Sequence, residues 1–317
     1  MMTLPYPFTR ILIPYDGSPS AKKALEWAAH LARAGGDEVE EVTLLRVIGG
    51  SYLARHIQNV DLRVTRMDQV AAWRRVRQHH LDHDILPLLE EGKRFLQEKR
   101  VVAPIDTRVA EGKIGEAIIR VAGEEGYSTV VIGRRGLSSL KGLLLGSVTR
   151  QVLSLAQKMT VFVVGQEATF DPDCPISRLL LAVDGSEPSL AAVRQGAALA
   201  QSFKDSKPQL TLLHVIDFAL LDTAYAEGNA FLMEEGEKIL ATSRRILEEA
   251  GLQGVVAEKF LAGQPTRVIA EEAEEGHYAL ILMGARGLSL VKQLLLGSVS
   301  SDVLQRVSRS IVGIVYP

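Results

Sequence analysis

Cys174 is the only cysteine in 317 residues, so no intrachain disulfide and no multi-cysteine zinc or iron–sulfur centre can form, and a reducing, cytoplasmic setting is expected. Charge of one sign is missing too. The 36 Lys and Arg residues stand against 38 Asp and Glu, which leaves no positive field to attract a nucleic-acid backbone or an anionic membrane. Nowhere do about 18 apolar residues run without a charge, and the stretch from Met1 to Arg10 carries Pro5 and Pro7 but no apolar core, so neither a membrane span nor an export signal is expected. Aromatics are scarce at 5%, while 47% hydrophobic and 23% charged residues are interspersed, which excludes long disordered tracts. The length is that of about two globular domains.

What the chain does have, it has twice. Ile11-Leu12-Ile13-Pro14-Tyr15-Asp16-Gly17-Ser18 returns 168 positions later as Leu179-Leu180-Leu181-Ala182-Val183-Asp184-Gly185-Ser186. Further on, Gly133-x2-Gly136-x9-Gly146-Ser147 returns as Gly284-x2-Gly287-x9-Gly297-Ser298, now at an offset of 151, so the first copy holds 17 extra residues between its motifs. The proline-containing stretch between the copies reads as a linker. The expected organisation is a first domain over 1–166 with an insert at about 50–86, a linker over 167–177 and a second domain over 178–317.

Within each copy, short apolar runs alternate with stretches of helical period, the βαβ pattern of a doubly wound α/β domain with a five-stranded parallel sheet. Strands are expected near Ile11–Tyr15, Val42–Val47, Val101–Val109, Thr129–Gly133 and Val161–Val164, then near Leu179–Val183, Gln209–Val215, Val255–Leu261, Leu280–Gly284 and Ile311–Tyr316. The first helix is expected to open at Ser18 as N-cap with Pro19 in its first position, and to stop at Gly35-Gly36.

Each glycine motif follows a strand and leads into a helix. Glycine lets backbone approach an anion closely, and the free N–H groups of a helix start favour negative charge. Ser147 and Thr149, with Ser298 and Ser300 in the second copy, offer hydroxyl donors. The alternative is a tight βα turn kept for packing. Neither copy has dinucleotide or P-loop spacing. Asp16 and Asp184 close the first strand of each copy, where a carboxylate can accept from a ribose hydroxyl or adenine amine or hold a divalent cation, or else simply cap a turn. Val47 and Val215 end the second strands, where backbone groups can meet a purine edge. Lys141 and Lys292, before the phosphate turns, either touch phosphate or stay solvated.

Other chemistry finds little support. Gly136-Leu137-Ser138-Ser139-Leu140 lacks the last glycine of a nucleophile elbow, and no triad or phosphoryl-transfer base can be assigned. His79 and His83 share a helix face, which admits a metal site or a solvated polar lid; a gating or partner-docking insert is the preferred reading. His214 has no second ligand at metal spacing and reads as structural.

Both glycine motifs and both strand-to-Asp-Gly-Ser openings resemble the universal stress protein family in its tandem form, and the resemblance covers essentially the whole chain. It implies Rossmann-like domains of the adenine nucleotide alpha hydrolase type that bind ATP, with ADP or AMP as alternatives and Mg²⁺ accompanying it. It implies nucleoside contacts at Pro14, Asp16 and Val47, and phosphate contacts at Gly133, Gly136, Gly146, Ser147, Val148 and Thr149. In the second copy the corresponding residues are Asp184, Val215, Gly284, Gly287, Gly297, Ser298, Val299 and Ser300, with Ala182 standing in place of Pro14. It further implies pairing of the last strands within the chain, leaving a homodimer open. The expected role is nucleotide occupancy as a regulatory state in stress response; a slow Mg-dependent ATP hydrolase and a nucleotide-free interaction module are the alternatives.

Overall fold

The computed structural model describes residues 3–49, 74–75, 77–137, 145–221, 226–287 and 297–317. In the first half, β1 (Arg10–Pro14), α1 (Pro19–Gly35), β2 (Glu41–Ile48), α2 (Leu86–Glu98), β3 (Ile105–Glu111), α3 (Ile114–Glu124), β4 (Thr129–Gly133), α4 (Ser147–Leu155) and β5 (Met159–Val164) follow in order. The second half repeats the alternation with β6 (Arg178–Ala182), α5 (Glu187–Ser202), β7 (Gln209–Asp217), α6 (Ala226–Glu249), β8 (Val256–Gly263), α7 (Pro265–Glu275), β9 (Leu280–Gly284), α8 (Ser298–Arg306) and β10 (Ile311–Tyr316).

Local chemistry sets the boundaries. Asp-Gly-Ser turns the chain sharply after β1 and β6, with Gly17 at φ 75° and Gly185 at φ 81°, a conformation that side chains resist. Ser18 then caps α1 by accepting from the Ala21 N–H at 3.3 Å, and Gly36 at φ 52° ends the helix. β3 starts later than its apolar run suggests. The Val101 N–H is spent on the Leu96 carbonyl at 3.1 Å, which closes the end of α2, and Pro104 has no N–H for a ladder, so pairing begins at Ile105. The polar end of the insert is helical: residues 77–80 lead through a π turn, Leu81–Ile85, directly into α2. Most of the insert, 50–73 and 76, lies outside the described residues.

The ten strands form one sheet in the order β3-β2-β1-β4-β5-β10-β9-β6-β7-β8. Each set of five is parallel, and the sets join where β10 pairs antiparallel with β5, Val312 opposite Val163 and Tyr316 opposite Met159. Every residue of β5 and β10 is buried. Left apart, these would be two apolar edges with open ladders. The two sets are therefore halves of one ten-stranded sheet.

One core lies on each face and runs through both halves. Trp27, Ala28 and Leu31 of α1 and Leu89 and Leu96 of α2 share the first with Val193 and Leu247 of the second half. Ile118 of α3 and Val152 of α4 share the other with Ile269 and Val303. In each half the first strand is flanked by the second and fourth, so the chain leaves it first to one side and later to the other. Ligands of open α/β sheets bind at the carboxyl edge of that switch point.

Candidate functional site

At the switch point of the first half lies a cavity of about 530 Å³. Pro14 and Asp16 enter from the end of β1 and Val47 from the end of β2. Gly133 and Gly136 come from the glycine loop, and Gly146, Ser147, Val148 and Thr149 from the start of α4. All nine first-copy residues singled out from the sequence thus line one space. Further lining residues that the sequence did not single out include Ile85, Arg135, Ile114 and Ile118. Ile114 and Ile118 are four apart on α3, a spacing that marks one helix face. Ile85 arrives by the π turn, which no periodicity announces.

The three glycines of the motif have separate jobs. A Cβ on Gly133 would lie 2.8 Å from the Ala21 N and Ser20 C atoms, so β4 ends in direct contact with the backbone of α1. A Cβ on Gly136 would lie 2.5 Å from Asp16 Oδ2, so the loop closes over that carboxylate. Gly146 donates its N–H to the Arg134 carbonyl at 3.0 Å, which shuts the loop at the start of α4. The second copy repeats the set: Gly284 abuts Pro188 and Ser189, Gly287 abuts Asp184, and Gly297 donates to the Ala285 carbonyl at 2.7 Å.

Asp16 is already half engaged. Its Oδ1 accepts from the Ser18 N–H at 3.0 Å, an Asx turn that fixes the carboxylate, and Asp184 Oδ1 accepts from the Ser186 N–H at the same distance. Ser186 also donates its hydroxyl to Asp184 Oδ1 at 2.6 Å.

Two expected phosphate donors are otherwise committed. The Thr149 hydroxyl donates to the Gly133 carbonyl at 2.9 Å and the Ser300 hydroxyl to the Gly284 carbonyl at 2.9 Å. A threonine or serine hydroxyl has one proton, so these side chains hold the end of the strand to the helix. Their contribution to an anion is limited to the backbone N–H. Ser147 and Ser298 stay exposed at the first helical position. Gly146 and Gly297 stand at the N-caps with no side-chain cap bond, so the first-turn amides of α4 and α8 are not satisfied by a capping side chain.

The halves differ beside the second strand. His214 donates its Nδ1–H to the Val183 carbonyl at 2.8 Å, and its ring lies 5.5 Å from that of Phe260. A Cβ on Gly236 would lie 2.9 Å from His214 Cδ2. Register equates His214 with Arg46 and Phe260 with Val109. Leu88 covers Gly17 as Ile239 covers Gly185, and counting back three residues equates Ile85 with Gly236.

The histidine pair of the insert is not arranged around an ion. The His79 and His83 rings stack at 4.0 Å, and His83 Nδ1 lies 2.9 Å from the His79 carbonyl. Among the described residues no group of three or more His, Cys, Asp or Glu is placed to hold a metal. Lys141 and Lys292 lie outside the described residues. Among the described residues no helix is long and apolar enough to cross a membrane.

The model of the universal stress protein family matches residues 7–164 and again 175–312. The chain belongs to this family, and carries its domain twice. The universal stress protein YxiE of Bacillus subtilis is 34% identical over 142 residues, covering 41% of this chain and 92% of that protein. A universal stress protein of Mycolicibacterium smegmatis is 25% identical over 322 residues, covering 93% of each chain. Among solved structures, a universal stress protein from Archaeoglobus fulgidus superposes with a TM-score of 0.67 at 23% identity, covering 98% of each chain, and so shares the tandem fold. The repeated glycine motif and the Asp-Gly-Ser turn both fall within the matched segments of this universal stress protein.

Proposed function

We propose that this tandem universal stress protein binds ATP, with ADP or AMP as alternatives, at one or both glycine motifs, and that occupancy is a regulatory state in stress response. The observation that carries the reading is the convergence of Pro14, Asp16, Val47 and the whole glycine motif on one cavity of about 530 Å³ at the sheet switch point. Its two ends suit the two ends of a nucleotide. Val47, Ile85 and Ile118 offer an apolar wall for a base, while the uncapped start of α4 and the glycine loop offer N–H groups to phosphates. Between them stands Asp16, which can accept from a ribose hydroxyl or hold Mg²⁺ accompanying the triphosphate.

Binding rather than turnover is favoured. Asp16 Oδ1 serves the turn, and among the described residues that line the cavity Asp16 is the one carboxylate and no histidine accompanies it, so none of these residues makes a second group to position an attacking water. The test is to denature freshly purified protein, identify released nucleotide by mass spectrometry and count it per chain, then titrate emptied protein with MgATP by calorimetry. One or two adenine nucleotides per chain, or binding on titration, is the expected result. No nucleotide and no heat of binding would overturn the reading and favour a nucleotide-free interaction module.

A further inference from the structure

Arg134, the second residue of the first glycine motif, sends its side chain out of its own half. It is 8% exposed, and its Nη1 and Nη2 donate to the carbonyls of Val307 and Leu304, at the C-terminal end of α8. The N-terminus of α8 is the second glycine motif's turn at Gly297-Ser298. The opposite helix is held in the same manner. Tyr316, the last residue of β10, donates its hydroxyl to the Leu153 carbonyl at 2.6 Å, in the last turn of α4, whose N-terminus is Gly146-Ser147. Tyr316 follows directly on Val315, whose carbonyl accepts the N–H of Ala285 in the second glycine loop at 2.9 Å.

Two different pairs of residues make these ties. The counterpart of Arg134 is Ala285, which has no side-chain donor, and the counterpart of Tyr316 is Gly165. Gly165 lies beside the Arg134 side chain: a Cβ there would stand 4.0 Å from Arg134 Cδ, an ordinary contact, and 3.0 Å from the Ser308 carbonyl oxygen, a tight one. Arg134 with Gly165 and Tyr316 with Ala285 thus meet one need from exchanged positions. The need is physical. The last carbonyls of a helix lack intrahelical partners, and a donor or cation there stabilises the helix and complements its dipole. A helix of nine residues is about 13 Å long and stiff, so fixing its last turn fixes where its first amides stand.

We infer that Arg134 and Tyr316 are positioning residues, each holding from one half the helix whose N-terminus receives phosphate in the other. The inference rests on the nucleotide reading above for what those amides hold. Its consequence is coupling between the sites: a ligand that orders the first glycine loop fixes the residue that anchors α8. By linkage the effect on affinity is reciprocal.

The test uses the full chain and hydrogen exchange read by mass spectrometry across a series of MgATP concentrations, so that peptides spanning 145–155 and 297–306 report the two sites separately. Tyr316→Phe keeps the ring and removes only the donor. It should raise the concentration for half-protection over 145–155 by about fivefold, the worth of one net hydrogen bond, with a smaller change over 297–306. Arg134→Met should do the reverse, and Arg134→Lys should restore part of the loss. Unchanged midpoints in both peptides, or equal shifts in both, would overturn the inference. If MgATP protects neither segment of the wild type, the nucleotide reading falls. The positioning role is then judged by nucleotide-free exchange, where Tyr316→Phe must speed the hydrogen-bonded amides of 150–155 and equal rates overturn it.

Discussion

Gly133→Ala should destabilise the protein in the complete absence of nucleotide, whereas Gly146→Ala should scarcely do so. The new Cβ of Gly133→Ala would meet the Ala21 N and Ser20 C atoms at 2.8 Å, and both are backbone, so no side chain can rotate away. Relief requires α1 to retreat by about half an ångström, and α1 is held by Trp27, Ala28 and Leu31, each 0% exposed. Overpacking of this kind costs roughly 1–3 kcal/mol, against which the reduced freedom of the unfolded chain returns about 0.5–1. The net loss of about 1–2 kcal/mol corresponds to a fall in Tm of roughly 1.5–3 °C for 317 residues. Gly146 has φ −61°, and its added Cβ would stand 3.1 Å from the Arg134 carbonyl oxygen, a conflict that a few tenths of an ångström resolve. Thermal melts followed by circular dichroism on emptied protein measure both. Gly133→Ala melting with the wild type, or Gly146→Ala falling as far, would refute the division of labour within the motif.

Two further outcomes can be checked with the same material. Asp16→Asn retains an oxygen to accept the Ser18 N–H, so stability should stay within about 0.5 kcal/mol while calorimetric affinity for MgATP falls; Asp16→Ala should lose about 1 kcal/mol of stability as well, and undiminished MgATP binding in both variants would remove the carboxylate from the site. His30 is 7% exposed against Phe170, and burial first, then the Arg33 charge, lower it from 6.5 to about 4. The folded state therefore resists a proton that the unfolded chain accepts, so stability present above pH 6.5 is lost as pH falls towards 4, by up to about 3 kcal/mol. Denaturant midpoints against pH should show the slope, and His30→Gln should flatten it; an unaltered slope would assign acid sensitivity elsewhere.

The alternation of elements was legible because each rests on nearby residues. Thr129–Gly133, Leu280–Gly284 and Ile311–Tyr316 are strands at their expected bounds, and Ser18, Pro19 and Gly36 delimit α1 as their chemistry requires. β3 was misplaced at its start because Val101 and Val102 look like strand by composition, yet Val101 is consumed in closing α2 and Val102 is 79% exposed. Asp16, Val47 and the glycines could be found from strand ends and motif spacing, whereas Pro14 and Val148 rested on the family resemblance. Ile85 could be found by neither route, since it reaches the cavity by a π turn at the end of the polar insert. The commitment of Thr149 and Ser300 to strand carbonyls was equally hidden: a hydroxyl at the third helical position suits a phosphate and a carbonyl alike, and only geometry distinguishes them.

The two halves should not fill alike. Their glycine turns match residue for residue, but the first cavity is lined by Ile85 and Arg46, where the second half has Gly236 and His214 with Phe260 against both, Phe260 standing at the register position of Val109. A methylene more or less in an apolar pocket changes affinity by roughly 1–3 kcal/mol, and here an isoleucine is exchanged for a glycine and a valine for a phenylalanine. Against Gly236 the second half therefore sets an aromatic pair, at the position where the first half has the side chain of Ile85. Titration with MgATP should therefore resolve two classes of site at least about tenfold apart. Phe260→Val enlarges the second site towards the first and should narrow the gap, while Ile85→Ala should lower the affinity of the first site alone. Two equivalent sites in the wild type would mean that the matched phosphate turns, rather than the base walls, set the affinity.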